Sequence, residues 1–166
     1  MIRTLILALG NTLSGDDAFG SLVLDVLNRS ESGLPPGTVA ADAGTDLLNH
    51  IEDFAGYGQV ILIDAILDPD GKLGSPGHVI TVEEGRFSCW DEVSASAHQM
   101  TPVTAIKLFR MLNPAAETRI YLVGLLVDRI THTPLYATPE CAATGADAVR
   151  LLLAKSAPAP SEHDRE

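Results

Sequence analysis

Four acids in this sequence fall at or just beyond the end of an apolar run, and one histidine precedes a helical pattern. Leu5-Ile6-Leu7-Ala8-Leu9 ends in Gly10-Asn11 and leads to the acid pair Asp16-Asp17. Thr38-Val39-Ala40-Ala41 ends in Asp42, and Val60-Ile61-Leu62-Ile63 ends in Asp64. His98 closes a long polar stretch just before a helical pattern. Carboxylate and imidazole together suit a borderline divalent ion such as zinc, nickel or cobalt, and an open coordination position admits water or substrate. Spacing alone leaves a structural reading open for each acid. Asp16 and Asp17 would complement a helix dipole, and Asp42 and Asp64 would cap the next turn. Asp64 is the hardest to read that way, because a charge at the end of an apolar run is costly without a partner.

These residues need elements to carry them. Solidly apolar runs at 5–9 and 59–64 read as strands buried on both faces. Short strands are expected at 38–42, 78–82 and 119–126. Phe19, Val23, Val26 and Leu27 recur at helical spacing, with Ser14 and Asp16 as candidate caps. A second helix should carry Leu47, Leu48, Ile51 and Phe54. A third should run from about Thr101 to Leu112 with Pro102 in its first turn. The last should begin at Thr138-Pro139 and end near Ala154. Strands alternating with helices predict a three-layer α/β sandwich with a five-stranded, mostly parallel twisted sheet flanked by helices. The fourth strand follows the third with no helix between, so it should be antiparallel or at an edge. One domain over 1–154 and a mobile tail over 155–166 are expected. In such open sheets ligands bind beyond the carboxyl ends of the strands, where Asp16, Asp17, Asp42, Asp64 and His98 would gather.

Composition narrows the function. The 166 residues are 46% hydrophobic and 20% charged, which suits a packed globular chain. The net charge of −11 repels phosphate backbones and argues against a nucleic-acid partner. No apolar run approaches the ~20 residues that span a bilayer, and the start reads as a first strand, not a cleaved leader. No membrane partner and a cytoplasmic location are therefore expected. Cys89 and Cys141 match no C-x-x-C pattern. The sequence contains no G-x-S-x-G elbow, no G-x-G-x-x-G and no G-x-x-x-x-G-K-[ST] loop.

Gly10-Asn11-x-Leu13-x-x-Asp16-Asp17-x-x-Gly20 resembles the amino-terminal signature of the nickel–iron hydrogenase maturation endopeptidases. Asp42-Ala43-Gly44-Thr45, Ile63-Asp64-Ala65, Ser96-Ala97-His98-Gln99 and the pair Leu122-Val123-Gly124 with Thr138-Pro139 resemble its later blocks, in the same order. The match departs at Ala18, where many members have glycine. The resemblance implies removal of a carboxyl-terminal peptide from the [NiFe]-hydrogenase large-subunit precursor after nickel insertion. It implies Asp17, Asp64 and His98 as metal contacts, with nickel brought by the precursor and no organic cofactor. Asp17 or Asp42 would serve as general base, and the sequence does not separate ligand from base.

A non-catalytic, metal-dependent binding module or chaperone for the same precursor is the alternative. A nucleotide-binding enzyme is a third reading, disfavoured by the missing phosphate loops. His50 and His78 read as solvated or capping, His163 as part of the tail, and His132 as a loop residue able to approach the cleft. Phe87 and Trp90 on the long loop are substrate contacts or loop packing.

Overall fold

The computed structural model describes residues 2–31, 33–89 and 101–156. Its elements, in order, are β1 (Thr4–Leu9), a 3₁₀ turn (Gly15–Ala18), α1 (Phe19–Asn28), β2 (Thr38–Gly44), a 3₁₀ segment (Leu47–Gly56), β3 (Gln59–Leu67) and β4 (Val79–Glu83). A 3₁₀ segment (Glu84–Cys89), α2 (Pro102–Leu112), β5 (Arg119–Val127) and α3 (Pro139–Ser156) complete it. His98, Trp90, His163 and the tail from residue 157 lie outside the described residues, as do the side chains of Phe87 and Cys89.

The strands form one sheet in the order β2-β1-β3-β5-β4. All neighbours are parallel except β4, which pairs antiparallel with β5 at the edge. The expected three-layer α/β architecture is therefore present, and the strand without a crossover helix is the antiparallel one. Alternation along the strands builds two cores. Leu5, Leu7, Val60, Leu62 and Leu122 face Ile51, Phe54, Ile106 and Phe109 on one side. Ile6, Ile61, Ile63, Val123 and Leu125 face Phe19, Val23, Val149 and Leu153 on the other. Phe54 and Phe109 meet with ring centroids 5.4 Å apart and planes tilted by 58°, a favourable edge-biased geometry.

Helix boundaries follow local chemistry. Thr101 caps α2 by accepting the Thr104 N–H, with proline at the helix start. Thr138 accepts the Cys141 N–H at the head of α3. Ser14 makes no side-chain cap, and Asp16 sits inside the 3₁₀ turn instead of capping it. Two other expectations need correction. The segment from Leu47 is a 3₁₀ helix, not an α-helix. The greater rise, about 2.0 Å against 1.5 Å per residue, lets ten residues return nearly the whole length of a strand. β3 also does not stop at Asp64 but runs on to Leu67, still paired with β5.

One close approach sets where α1 begins. A Cβ on Gly20 would lie 2.3 Å from the Leu9 carbonyl oxygen and 2.8 Å from that of Ile63. Only a bare backbone lets α1 sit directly on the ends of β1 and β3. Gly20→Ala should therefore lower unfolding stability by about 2–3 kcal/mol, as overpacking does. Urea unfolding monitored by circular dichroism measures this, and an unchanged midpoint would refute the contact.

Candidate active site

In a sheet ordered 2-1-3-5-4, chain connections leave β1 in one direction and enter β3 from the other. The crevice at this reversal is where such folds take ligands. β1 pairs with β3 only as far as Ala8 and Ile63. Asp64 is thus the first β3 residue beyond its β1 partner, flanked on one side only, by Gly124 of β5. Strand alternation places it on the α2 face of the sheet, in line with Leu62 and Ile66. Gly124 contributes no side chain, and Ile66 fills its space: a Cβ there would lie 1.9 Å from the Ile66 Cδ1.

Asp17 comes from the turn after β1. Gly10, at φ +111°, brings the chain so close that a Cβ there would lie 1.9 Å from the Asp17 carbonyl oxygen and 3.3 Å from its carboxyl carbon. The Asn11 N–H donates to Asp17 Oδ2 at 2.9 Å, and Asn11 Oδ1 accepts the Leu13 N–H at 2.9 Å. Gly20 then fixes the start of α1 against Leu9 and Ile63. Ala18 is right-handed helical, φ −75° and ψ −5°, so alanine suits this position without strain.

The two acids feel one another. Burial pushes the Asp64 carboxyl up to about 8, and the nearby Asp17 charge pushes in the same direction, against one hydrogen bond from the Ala65 N–H. Burial also raises Asp17, opposed by the Asn11 N–H. Desolvated like charges of this kind are relieved by a cation, so the pair fits the donor set expected for a divalent metal. Asp42 is engaged elsewhere: the Ser21 hydroxyl donates to its Oδ2 at 2.7 Å, and the Gly44 N–H donates to its Oδ1 at 2.9 Å. It stands opposite Ala8, on the α1 side of the sheet, where β2 is bulged. Ser21 lies one helical turn beyond Asp17.

His98 lies outside the described residues, three positions before the Thr101 cap. α2 leads into the start of β5, so its head stands at the carboxyl edge of the sheet with Asp64. Arg110, in the last turn of α2, lies at the opposite, amino edge of the sheet. Its Nε and Nη2 donate to Glu84, at 2.7 and 2.5 Å, and its guanidinium also reaches the Ala116 and Thr118 carbonyls. His50 pairs with Asp53 at 3.6 Å, His78 contacts the Ser75 carbonyl, and His132 is exposed. Among the described residues, no three His, Cys, Asp or Glu side chains cluster as a complete metal site. No described helix is long and apolar enough to cross a membrane.

No protein-family model matches the chain. Over 140 residues it is 25% identical to the hydrogenase 2 maturation protease of Escherichia coli K12, covering 84% of this chain and 82% of that protein. The sequence is thus similar to that of a hydrogenase maturation protease. The chain's fold matches the E. coli maturating endopeptidase HybD with a TM-score of 0.77 at 22% identity, over 93% of this chain and 94% of that one. The [NiFe] hydrogenase maturation protease HybD of Thermococcus kodakarensis gives 0.68 at 25% identity, over 92% and 99%. The geometry singles out two residues to which sequence reasoning gave no role, Gly20 and Gly124, which make room at the site. Both lay within recognisable motifs.

The raised Asp64 carboxyl has a signed consequence. An unfolded chain loses this proton near pH 4, whereas the folded, metal-free chain keeps it until about pH 8. Between those values the folded state binds more protons, so stability falls as pH rises through the window. Asp64→Asn removes that loss. After chelation of metals, its melting temperature at pH 8.5 should exceed that of the wild type by about 10 °C or more, since roughly four units at ~1.4 kcal/mol each convert at ~2–4 °C per kcal/mol. At pH 4 the two should coincide. Equal curves at both pH values would contradict the raised Asp64 carboxyl.

Proposed function

We propose that this chain removes the carboxyl-terminal peptide of a [NiFe]-hydrogenase large-subunit precursor, with the nickel carried in by the precursor as part of the substrate. The observation that carries this reading is the pair Asp17 and Asp64, held together at the β1/β3 reversal in a chain similar to hydrogenase maturation proteases. Asp17, Asp64 and His98 are assigned as the side chains that meet the nickel. A divalent ion there would polarise the scissile carbonyl and make water more acidic.

The chain's own groups then have distinct tasks. Asp64, protonated in the metal-free site at neutral pH, would have to give up its proton to hold a cation. Asp17 keeps one oxygen on the Asn11 N–H and offers the other to the substrate side. It is assigned as base for the attacking water. Asp42, joined to the first turn of α1 through Ser21, is assigned a secondary catalytic role through that hydroxyl. The requirement for two acids and a histidine around a substrate-borne ion would make cleavage wait for nickel insertion.

Intact-mass spectrometry of a nickel-loaded precursor tests the reading. Wild type should release the carboxyl-terminal peptide. Asp17→Ala, Asp64→Ala and His98→Ala should each slow release by about 10³-fold or more, as loss of essential catalytic groups does. Asp42→Ala should cost about 10-fold, in the range of an outlying support residue. An unchanged precursor mass with wild-type protein would favour a binding module instead.

A further inference from the structure

The two acids of the Gly15–Ala18 turn face opposite ways, and the reaction proposed above uses only Asp17. Asp16 is fully buried. Its Oδ1 accepts the backbone N–H groups of Leu135 at 2.9 Å, Tyr136 at 2.6 Å and Ala137 at 2.7 Å. Its Oδ2 is buried without a partner among the described residues. One carboxylate oxygen therefore gathers three consecutive amides that lie far along the chain. The neighbouring residue leaves no slack: a Cβ on Gly15 would lie 2.0 Å from the Thr131 carbonyl oxygen. Just beyond the turn, Phe19 and Val23 pack where Gly145 of α3 has no side chain. The turn is thus seated on the segment that enters α3.

Asp17 has reason to leave its place. It shares a partly desolvated crevice with another acid, and swinging outward would rehydrate it and separate the charges. Its own side chain has a single described hydrogen bond, from Asn11. We propose that Asp16 is a positioning residue: its tether to residues 135–137 holds the turn so that Asp17 stays against Asp64. This rests on the assignment of Asp17 and Asp64 made above. Asp16 touches no substrate in this scheme and acts only through the backbone it fixes. Charge-assisted bonds to several amides suit that task, because they are short and directional. The idle, buried Oδ2 is the cost of placing a full carboxylate where three donors converge.

The test compares kcat and KM for precursor cleavage by full-length wild type, Asp16→Ala, Asp16→Asn and Val149→Ala. Val149 is fully buried in α3, remote from the acids, and serves as a control for lost stability alone. All are assayed well below their melting temperatures. Asp16→Ala should lower kcat about 10-fold or more with KM little changed, the signature of a misplaced catalytic group. Asp16→Asn, a weaker acceptor of the same shape, should fall between. Val149→Ala should keep wild-type kcat even if it melts as low as the Asp16 variants. Asp16 variants with the kcat of Val149→Ala would overturn the positioning role while leaving the function intact. If Asp16→Ala does not fold, Asp16→Asn decides, and wild-type kcat there overturns the proposal. A wild type that leaves the precursor uncut would sink the function itself, and this role with it.

Discussion

Two carboxylates drawn out of bulk water and set side by side repel each other, and each also loses hydration. Left alone, such a pair would separate or protonate. In this chain Asp64 takes the second course, its carboxyl raised to about 8, while the backbone denies both acids the first. β3 holds Asp64 in register with Gly124. Gly10 and Gly20 let the chain after β1 come down onto the strand ends with no side chain intervening. Such a pair is unfavourable without a cation, and a bound cation would relieve it.

The rest of the fold can be understood as support for that placement. The two cores clamp the sheet between α1 with α3 on one face and α2 with the Leu47–Gly56 segment on the other. α1 is locked to α3 through Phe19, Val23 and the bare Gly145. Arg110 and Glu84 tie the head of the long connection to the helix that follows it. A rigid frame of this kind allows a small crevice to store unfavourable electrostatics, because packed layers do not yield gradually.

Much of this was legible in the sequence, for identifiable reasons. The runs at 5–9 and 59–64 are apolar on both faces, as only central parallel strands are, and so the acids that follow them had to emerge at one edge. Asp17, Asp42 and Asp64 could be placed there without a structure. The division of labour within Asp16-Asp17 could not. Successive residues of a 3₁₀ turn point about 120° apart, and which one turns inward is decided by amides near residue 136. The extension of β3 was hidden because Asp64 interrupts an apolar pattern that resumes at Ala65-Ile66-Leu67. Asp42 looked equivalent to Asp64 in sequence, yet strand alternation and a bulge at Ala43 put it on the other side of the sheet.

The central claim is that Asp17 and Asp64 form a strained pair that a cation relieves. Carboxyl ¹³C NMR of Asp64, followed against pH in chelated protein and again with equimolar zinc as a diamagnetic stand-in, tests it most directly. The account predicts a midpoint near 8 without metal and an ionised carboxylate throughout the neutral range once zinc is added. A midpoint near the ordinary ~4 in both samples would contradict it.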